Sequence, residues 1–196
     1  MTSGERPTTT ETPEEREAYR ASAALEPVRR FVNTYEPETG IEMLDSPAAL
    51  AAWLADEGLS ADPGELTDRD LQRVVEVREA LREALLANNR AAPASRAYER
   101  LNRALAGATL EVRFDAEGRA SLMPNGAGVD EALARIASAI REATATGEWS
   151  RLKVCPGDSC LWAFYDRSRN RSRTWCRMEV CGNRAKVRSY RRRHSG

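Results

Sequence analysis

The stretch Cys155-Pro156-Gly157-Asp158-Ser159-Cys160, followed after fifteen residues by Cys176-Arg177-Met178-Glu179-Val180-Cys181, decides the fold of the C-terminal part of the chain. It holds all four cysteines of the 196-residue sequence. Each pair encloses four residues, and the proline and glycine after the first cysteine favour a tight turn around one ion. Four thiolates complete the tetrahedral shell of Zn²⁺, which predicts one zinc ion bound by Cys155, Cys160, Cys176 and Cys181. Because four protein ligands leave no open position for water or substrate, we expect a structural site.

Two disulfide bonds are the alternative use of four cysteines. The first 17 residues are rich in Thr, Pro and Glu, lack the apolar segment of a signal peptide, and are expected to be disordered. The 169 residues outside the cysteine stretch contain no further cysteine, and nowhere do eighteen apolar residues run together. These features favour zinc in a reducing compartment, and we expect a soluble, cytoplasmic protein without a membrane span.

The segment between the cysteine pairs predicts a β-hairpin. Residues 161–165 are rich in strand-favouring aromatic side chains, and Thr174-Trp175 leads back to the third cysteine. Arginine stands at every second position of the connecting turn, at Arg167, Arg169, Arg171 and Arg173. In an extended chain this spacing puts all four guanidinium groups on one side, so we predict a one-sided row of arginines there.

A basic helix is predicted after the last cysteine, over residues 182–193. Arg184, Arg188 and Arg191 recur at helical spacing, while Val187 and Tyr190 lie toward another face, where we expect them to pack on the hairpin. The predicted nucleic-acid contacts are Arg167, Arg169, Arg171, Arg173, Arg184, Lys186, Arg188, Arg191 and Arg192.

The formal charge of zero hides a strong asymmetry. Residues 148–196 hold 13 Lys plus Arg against 4 Asp plus Glu, a balance of +9, and residues 1–147 therefore carry −9. A basic segment on an acidic body favours a polyanionic partner for that segment, most commonly nucleic acid. The alternative is that the two parts neutralise one another within the fold.

The motif Cys181-Gly182-Asn183-Arg184, with the paired cysteines, the arginine-rich turn and Trp175-Cys176 before it, resembles the CGNR zinc finger family over about residues 150–193. The four cysteines match the family's cysteines one to one. Phe31-Val32-Asn33-Thr34 and the segment 44–54 resemble, more loosely, the upstream ABATE domain of those proteins. The resemblance implies a mainly helical ABATE domain linked to stress-induced transcription regulation, and it implies DNA binding by the finger.

The residues between the tail and the finger read as a helical domain, 18–147, followed by the finger at 148–193. Apolar side chains at three- and four-residue steps predict helices at 18–35, 48–56, 71–88, 94–106 and 131–144. Ser46 followed by Pro47 predicts a serine cap at the start of the second of these helices. Alternation over 110–114 and 120–123 predicts the one β-hairpin of this body. The fold class is therefore mainly α with a small β-hairpin, ahead of a zinc finger made of a hairpin and a helix. Arg78 interrupts an apolar stripe, which indicates a snorkelling side chain or a ligand for an anion.

Three functions fit these features. The first is a transcription regulator whose finger binds DNA, with double-stranded DNA as the expected partner, and whose body dimerises or senses a signal such as a small-molecule effector. The second is an RNA-binding module, and the third is a zinc-stabilised protein-interaction domain. We do not expect an enzyme, because no catalytic set can be assembled and the single histidine, His194, lies near the end of the chain.

Overall fold

The computed structural model describes residues 14, 17, 19–90 and 95–194. Most of the predicted disordered tail lies outside these residues. The described part is mainly helical with small two-stranded antiparallel sheets, as predicted. None of its helices combines the length and apolar character needed to cross a membrane.

Short strand pairs interrupt the series of helices along the chain. In chain order the elements are α1 Glu26–Val32, β1 Tyr35–Glu36, β2 Ile41–Glu42, α2 Pro47–Asp56, α3 Asp68–Arg90, α4 Ser95–Ala104, β3 Thr109–Phe114, β4 Ala120–Asn125, α5 Gly128–Ala145, a 3₁₀ turn Trp149–Arg151, β5 Leu152–Val154, β6 Ala163–Tyr165, a π-helical turn Met178–Gly182 and α6 Asn183–His194.

The helices pack around α3, the longest, as their apolar periodicity predicts. The predicted start of α2 is confirmed, because the Ser46 hydroxyl accepts a hydrogen bond from the Ala49 amide (3.2 Å) and Pro47 occupies the first turn. Phe31 of α1 and Trp53 of α2 meet with ring centroids 5.7 Å apart. Apolar side chains of α1, α2, α3 and α5 thus form one buried cluster.

The predicted hairpin is confirmed as β3–β4, with Thr109 opposite Asn125 and Phe114 opposite Ala120. The prediction that the body has only one hairpin is wrong, because β1 and β2 form a second one across a turn at Gly40. Strands of two residues are too short to produce an alternating pattern, which explains why the sequence did not reveal them.

One strand pair of the finger lies in the apolar core of the helical body. Strand β6 pairs with β5, which precedes the first cysteine, and not with Thr174-Trp175, which lie outside any strand. Leu152, Val154 and Ala163 of this β5–β6 ribbon are buried in the same apolar cluster as the helices. The β5–β6 ribbon therefore belongs to the core of the body, while Trp162, Phe164 and the four cysteines form a second buried cluster around the metal centre.

Candidate metal centre and basic surface

Two turns deliver the four cysteines to one point. In the first turn the Cys160 amide donates to the Gly157 carbonyl (3.0 Å), and the Cys155 amide donates to the Trp162 carbonyl (2.9 Å). A Cβ atom at position 157 would lie 3.2 Å from the Cβ of Cys160, so a side chain there would press on the second ligand of the pair. In the second turn the Cys181 amide donates to the Arg177 carbonyl (3.0 Å) at the start of the π-helical turn.

The cysteine sulphurs fit a tetrahedral zinc site. All four Sγ atoms lie within 4.8 Å of one another and all four residues are buried. The distances are 3.5 Å between Cys160 and Cys176 and 3.7 Å between Cys176 and Cys181. A Zn–S bond of about 2.3 Å gives a tetrahedral edge of about 3.8 Å, whereas a disulfide needs about 2.05 Å. The cysteines form no disulfide bonds, and they hold one structural zinc ion, as predicted.

The electrostatics of the cluster favour a cation. Hydrogen bonding, first of all from Cys160, lowers the pKa of Cys155 to about 2. Hydrogen bonding to Cys155 in turn raises the pKa of Cys160 and of Cys176, and burial raises the pKa of Cys181. Ionising one thiol therefore opposes ionisation of the others, and a divalent ion at the centre stabilises all four thiolates together.

The Cys-Gly-Asn-Arg motif joins the metal centre to α6. A Cβ at Gly182 would overlap the Met178 sulphur, so only glycine lets the π-helical turn close against that side chain. The Asn183 side chain donates to the Glu179 carbonyl (3.0 Å) across the junction with α6. Arg184 forms an ion pair with Glu38 of the β1–β2 turn (2.5 Å). Each residue of the motif thus has its own role. Cys181 is a metal ligand, Gly182 allows the close approach of Met178, Asn183 bonds across the junction with α6, and Arg184 contacts the helical body.

A buried ion pair that the sequence analysis missed organises the arginine-rich turn. Lys153 Nζ lies 2.7 Å from the Asp166 carboxylate, and both side chains are buried. Lys153 also donates to the carbonyls of Arg171 (2.6 Å) and Arg173 (3.1 Å), while Asp166 accepts from the amides of Ser168 and Arg173, each at 2.9 Å. Burial alone would raise the pKa of Asp166, but hydrogen bonds from Lys153 and Ser168 lower it, so the carboxylate stays ionised.

The predicted one-sided row of arginines does not form, because this turn is compact and not extended. Residue 171 adopts a left-handed conformation (φ 52°) and its guanidinium donates to the Ser150 hydroxyl (2.9 Å). Arg173 turns inward, donates to the carbonyls of Trp175 and Cys176, and lies over the Phe164 ring at 5.1 Å. Arg167 donates to the Arg20 carbonyl (2.9 Å), and Arg169 is exposed at the tip. Arg173 therefore braces the metal centre from inside the finger.

Helix α6 presents a mixed basic and apolar face to solvent. The prediction that Val187 and Tyr190 pack on the hairpin is wrong, because they are 49% and 58% exposed. Lys186 lies four residues before Tyr190 and Arg191 four residues after Val187, so by helical spacing these two exposed basic residues flank the apolar pair. Arg188 is half-buried and pairs with Asp158 at 3.4 Å. Arg192 is exposed and donates to the Ser189 hydroxyl (3.3 Å).

Three asparagine side chains of the helical body hold both edges of the β5–β6 ribbon. Asn33 makes two hydrogen bonds with the backbone of Ala163, donating to the carbonyl (3.0 Å) and accepting from the amide (2.8 Å). On the other edge, Asn88 donates to the Leu152 carbonyl (3.1 Å) and Asn89 to the Val154 carbonyl (2.7 Å). These side chains form the hydrogen bonds that neighbouring strands would otherwise supply. The outward backbone groups of the ribbon are therefore satisfied only where the ribbon lies on the helical body.

A second buried network lies beside Asn33. Arg78 meets both carboxylate oxygens of Glu42 at 2.7 Å and donates to Thr34 (3.2 Å), and Arg82 donates to the Val32 carbonyl (2.7 Å) and the Leu161 carbonyl (3.3 Å). Burial opposes the charge of Arg78, but the Glu42 carboxylate raises the pKa of its guanidinium above the usual value. Arg78 is thus occupied by partners within the protein, and Arg82 links α3 directly to the finger.

Comparison with known protein families matches each part of the chain to one family. Residues 151–194 match the CGNR zinc finger, and residues 25–147 match ABATE, described as "Putative stress-induced transcription regulator". No curated protein matches the chain. The four-cysteine centre and the Cys-Gly-Asn-Arg junction lie within the residues that match the CGNR zinc finger. The chain belongs to the ABATE family and carries a CGNR zinc finger after the ABATE domain.

Proposed function

We propose that this protein is a DNA-binding transcription regulator, and not an enzyme, in which α6 contacts duplex DNA. The observation that carries the proposal is the composition and exposure of this helix. Its sequence, Asn-Arg-Ala-Lys-Val-Arg-Ser-Tyr-Arg-Arg-Arg-His, contains six Lys plus Arg and no acidic residue, and none of its residues is buried.

Helix α6 lacks the usual sources of helix stability. A 12-residue helix is marginal in water without a packed apolar face, and like charges four residues apart, as at Arg184 and Arg188, weaken it further. The zinc centre holds the residue before its first turn, and the Arg184–Glu38 and Arg188–Asp158 ion pairs link its first two turns to the rest of the protein. A polyanion supplies what is missing, because phosphates neutralise the repulsion and each contact releases counterions.

The outward face of α6 is suited to a groove. Val187 and Tyr190 lie at the centre of this face, and Lys186 and Arg191 flank them on either side. Cations of this kind bind phosphates or guanine edges, and apolar side chains such as Val187 contact thymine methyl groups in the major groove. Arg188 is less suited to reading bases, because its guanidinium pairs with Asp158 beside the first cysteine turn.

The remaining predicted contacts divide by exposure. Arg167, Arg169 and Arg171 are exposed on the turn and suit phosphate contacts, while Arg173 is engaged inside the finger. Residues 1–147, the tail and the helical body together, carry a net charge of −9 and repel phosphate, which supports a regulatory role for the body.

Fluorescence anisotropy of the full chain on a labelled duplex, over a salt series, tests the proposal. We expect Lys186→Ala with Arg191→Ala to weaken binding and to reduce the slope of log K against log [salt] by about two units, since about one counterion is released per phosphate contact. Arg119→Ala is the matched control, because Arg119 is an exposed arginine on the β3–β4 turn.

The competitor decides between the alternatives. Structured RNA that displaces the duplex at equal concentration and equal salt would move the assignment to an RNA-binding protein. Absence of any binding at low salt, with zinc present, would overturn the nucleic-acid role and favour a protein partner. Equal loss of binding in the α6 variant and in the Arg119 control would remove α6 from the interface.

A further inference from the structure

The β3–β4 hairpin has an unpaired strand edge. Within residues 19–90 and 95–194, β4 is the only strand that pairs with β3. An open edge of this kind is a template for a further strand, and proteins commonly protect such edges with proline or charge. The β5–β6 ribbon, by contrast, has asparagine side chains on both of its edges.

The hydrogen-bond alternation identifies the backbone groups on the open edge. The Asp115 amide donates to the Arg119 carbonyl (3.1 Å), so this pair is of the hydrogen-bonded kind, and every second pair along the ladder is too. The backbone amides and carbonyls of Glu111 and Arg113 therefore form hydrogen bonds with β4. The amides and carbonyls of Leu110, Val112 and Phe114 point away from β4. Pro124, which has no amide hydrogen, lies opposite Leu110, in agreement with this alternation.

The two edges of the hairpin differ. On β4 the outward-pointing backbone positions are Ala120, Leu122 and Pro124, and the proline interrupts the row of donors. On β3 the outward row has no proline. Its side chains are apolar; Val112 is 58% and Phe114 71% exposed, while Leu110 is half-buried. The unprotected edge is thus the one that carries exposed apolar side chains.

The sequence of β3 is complementary to itself in the antiparallel direction. When two copies of Thr-Leu-Glu-Val-Arg-Phe are paired about Val112, Glu111 faces Arg113 of the partner subunit and Leu110 faces Phe114 of the partner subunit. All outward donors and acceptors at 110, 112 and 114 then find partners. Glu111 and Arg113 of one chain already pair with each other (2.5 Å), and in the dimer the pairs of the two chains meet in the closer, non-hydrogen-bonded positions, where each charge also faces its opposite across the strands.

We propose that β3 is a homodimerisation edge, on which β3 of a second copy pairs about a two-fold axis through Val112 to form a four-stranded antiparallel sheet. A single register satisfies the backbone, the charges and the apolar side chains together. The proposal does not depend on nucleic-acid binding, and its test uses none.

Sedimentation of the zinc-loaded full chain, with charge variants, tests the edge. We expect a species of twice the 21.8 kDa chain mass. Arg113→Glu sets like charges opposite one another at two places and should weaken dimerisation roughly tenfold or more. The double variant Glu111→Arg with Arg113→Glu restores opposite charges and should restore the dimer. Arg119→Glu, on the turn outside the edge, should leave it unchanged.

Amide exchange of the unmodified protein tests the register without any variant. In a monomer the amides of Leu110, Val112 and Phe114 face solvent and exchange fast, while those of Glu111 and Arg113 are protected by β4. In the proposed dimer all five are protected, and the protection at 110, 112 and 114 is lost on dilution. A monomeric mass at every concentration, or a dimer in which these three amides exchange fast, would overturn the proposal, and the second result would indicate another interface.

Discussion

Substitution of Asn33 by alanine measures how strongly the finger is attached to the helical body. Both hydrogen bonds of this side chain go to the backbone of Ala163, which is fully buried. The Asp166 amide bonds to Arg151 and the Cys155 amide to Trp162, so the β5–β6 alternation leaves the Ala163 amide and carbonyl without a partner on β5. Asn33→Ala therefore strands two buried polar groups, at about 1–3 kcal/mol each, or about 4 kcal/mol together.

Urea unfolding followed by tryptophan fluorescence gives this loss directly. With a slope of about 2 kcal/mol per molar urea, the midpoint should fall by about 2 M. Asn102→Ala is the matched control, because Asn102 is exposed on α4 and should shift the free energy of unfolding by no more than about 0.5 kcal/mol. Asn33→Asp sets a carboxylate against the Ala163 carbonyl and should destabilise at neutral pH, with partial recovery on protonation. An Asn33→Ala midpoint within about 0.3 M of the unmodified protein would refute the role of Asn33 as an edge partner.

Two further perturbations test the metal centre and the buried acid. Cys176→Ser should abolish stoichiometric zinc in metal analysis. It should also expose the amides of α6 to hydrogen exchange, because none of the residues of α6 is buried, while the amides of β5 stay protected in the core. Protected α6 amides in the zinc-free protein would contradict this prediction. The Glu57 side chain is 4% exposed, and its carboxylate lies 2.7 Å from the Arg30 guanidinium. Burial raises the pKa of this carboxyl in the folded protein. The stability that the neutral carboxyl contributes is therefore lost as the pH rises through the folded-state pKa. Glu57→Gln should therefore stabilise the protein at pH 7, and thermal unfolding should show the gain disappearing below about pH 4, where the carboxyl is neutral in both states.

The sequence was sufficient for the features whose chemistry is local. The cysteine spacing predicted the zinc centre because the ligands come in two short turns, and apolar periodicity predicted the helices because each buries one face. The Ser46-Pro47 start of α2 is of the same kind, since the cap and the helix it begins are adjacent in the chain.

The features that the sequence did not reveal depend on distant partners. Asn88 and Asn89 end a charged helix and look like solvent-exposed residues, yet each donates to a strand more than sixty positions later in the chain. Lys153 and Asp166 meet only because β5 pairs with β6, whereas the sequence predicts a hairpin between residues 161–165 and Thr174-Trp175. Val187 and Tyr190 have the helical spacing of a packed face, but the described part of the chain provides no surface against that face.

The contacts between the body and the finger provide a route by which the body could regulate the finger. A flexible linker would leave the two parts independent, whereas in this protein Asn33, Arg82 and Asn89 connect α1 and α3 to the ribbon that carries the first cysteine pair. A shift of α3 would change the hydrogen bonds of Asn89 to Val154 and of Arg82 to Leu161, which directly precede and follow the first cysteine pair. Coupling between sites needs two states that differ in such contacts. The Arg184–Glu38 pair is suited to make the difference, since it links the start of α6 to the β1–β2 turn, while the neighbouring Arg78–Glu42 pair ties the same hairpin to α3. Movement of the hairpin would therefore change the contacts of α3 and of α6 together, and the pathway from the body to α6 would not need to pass through a linker.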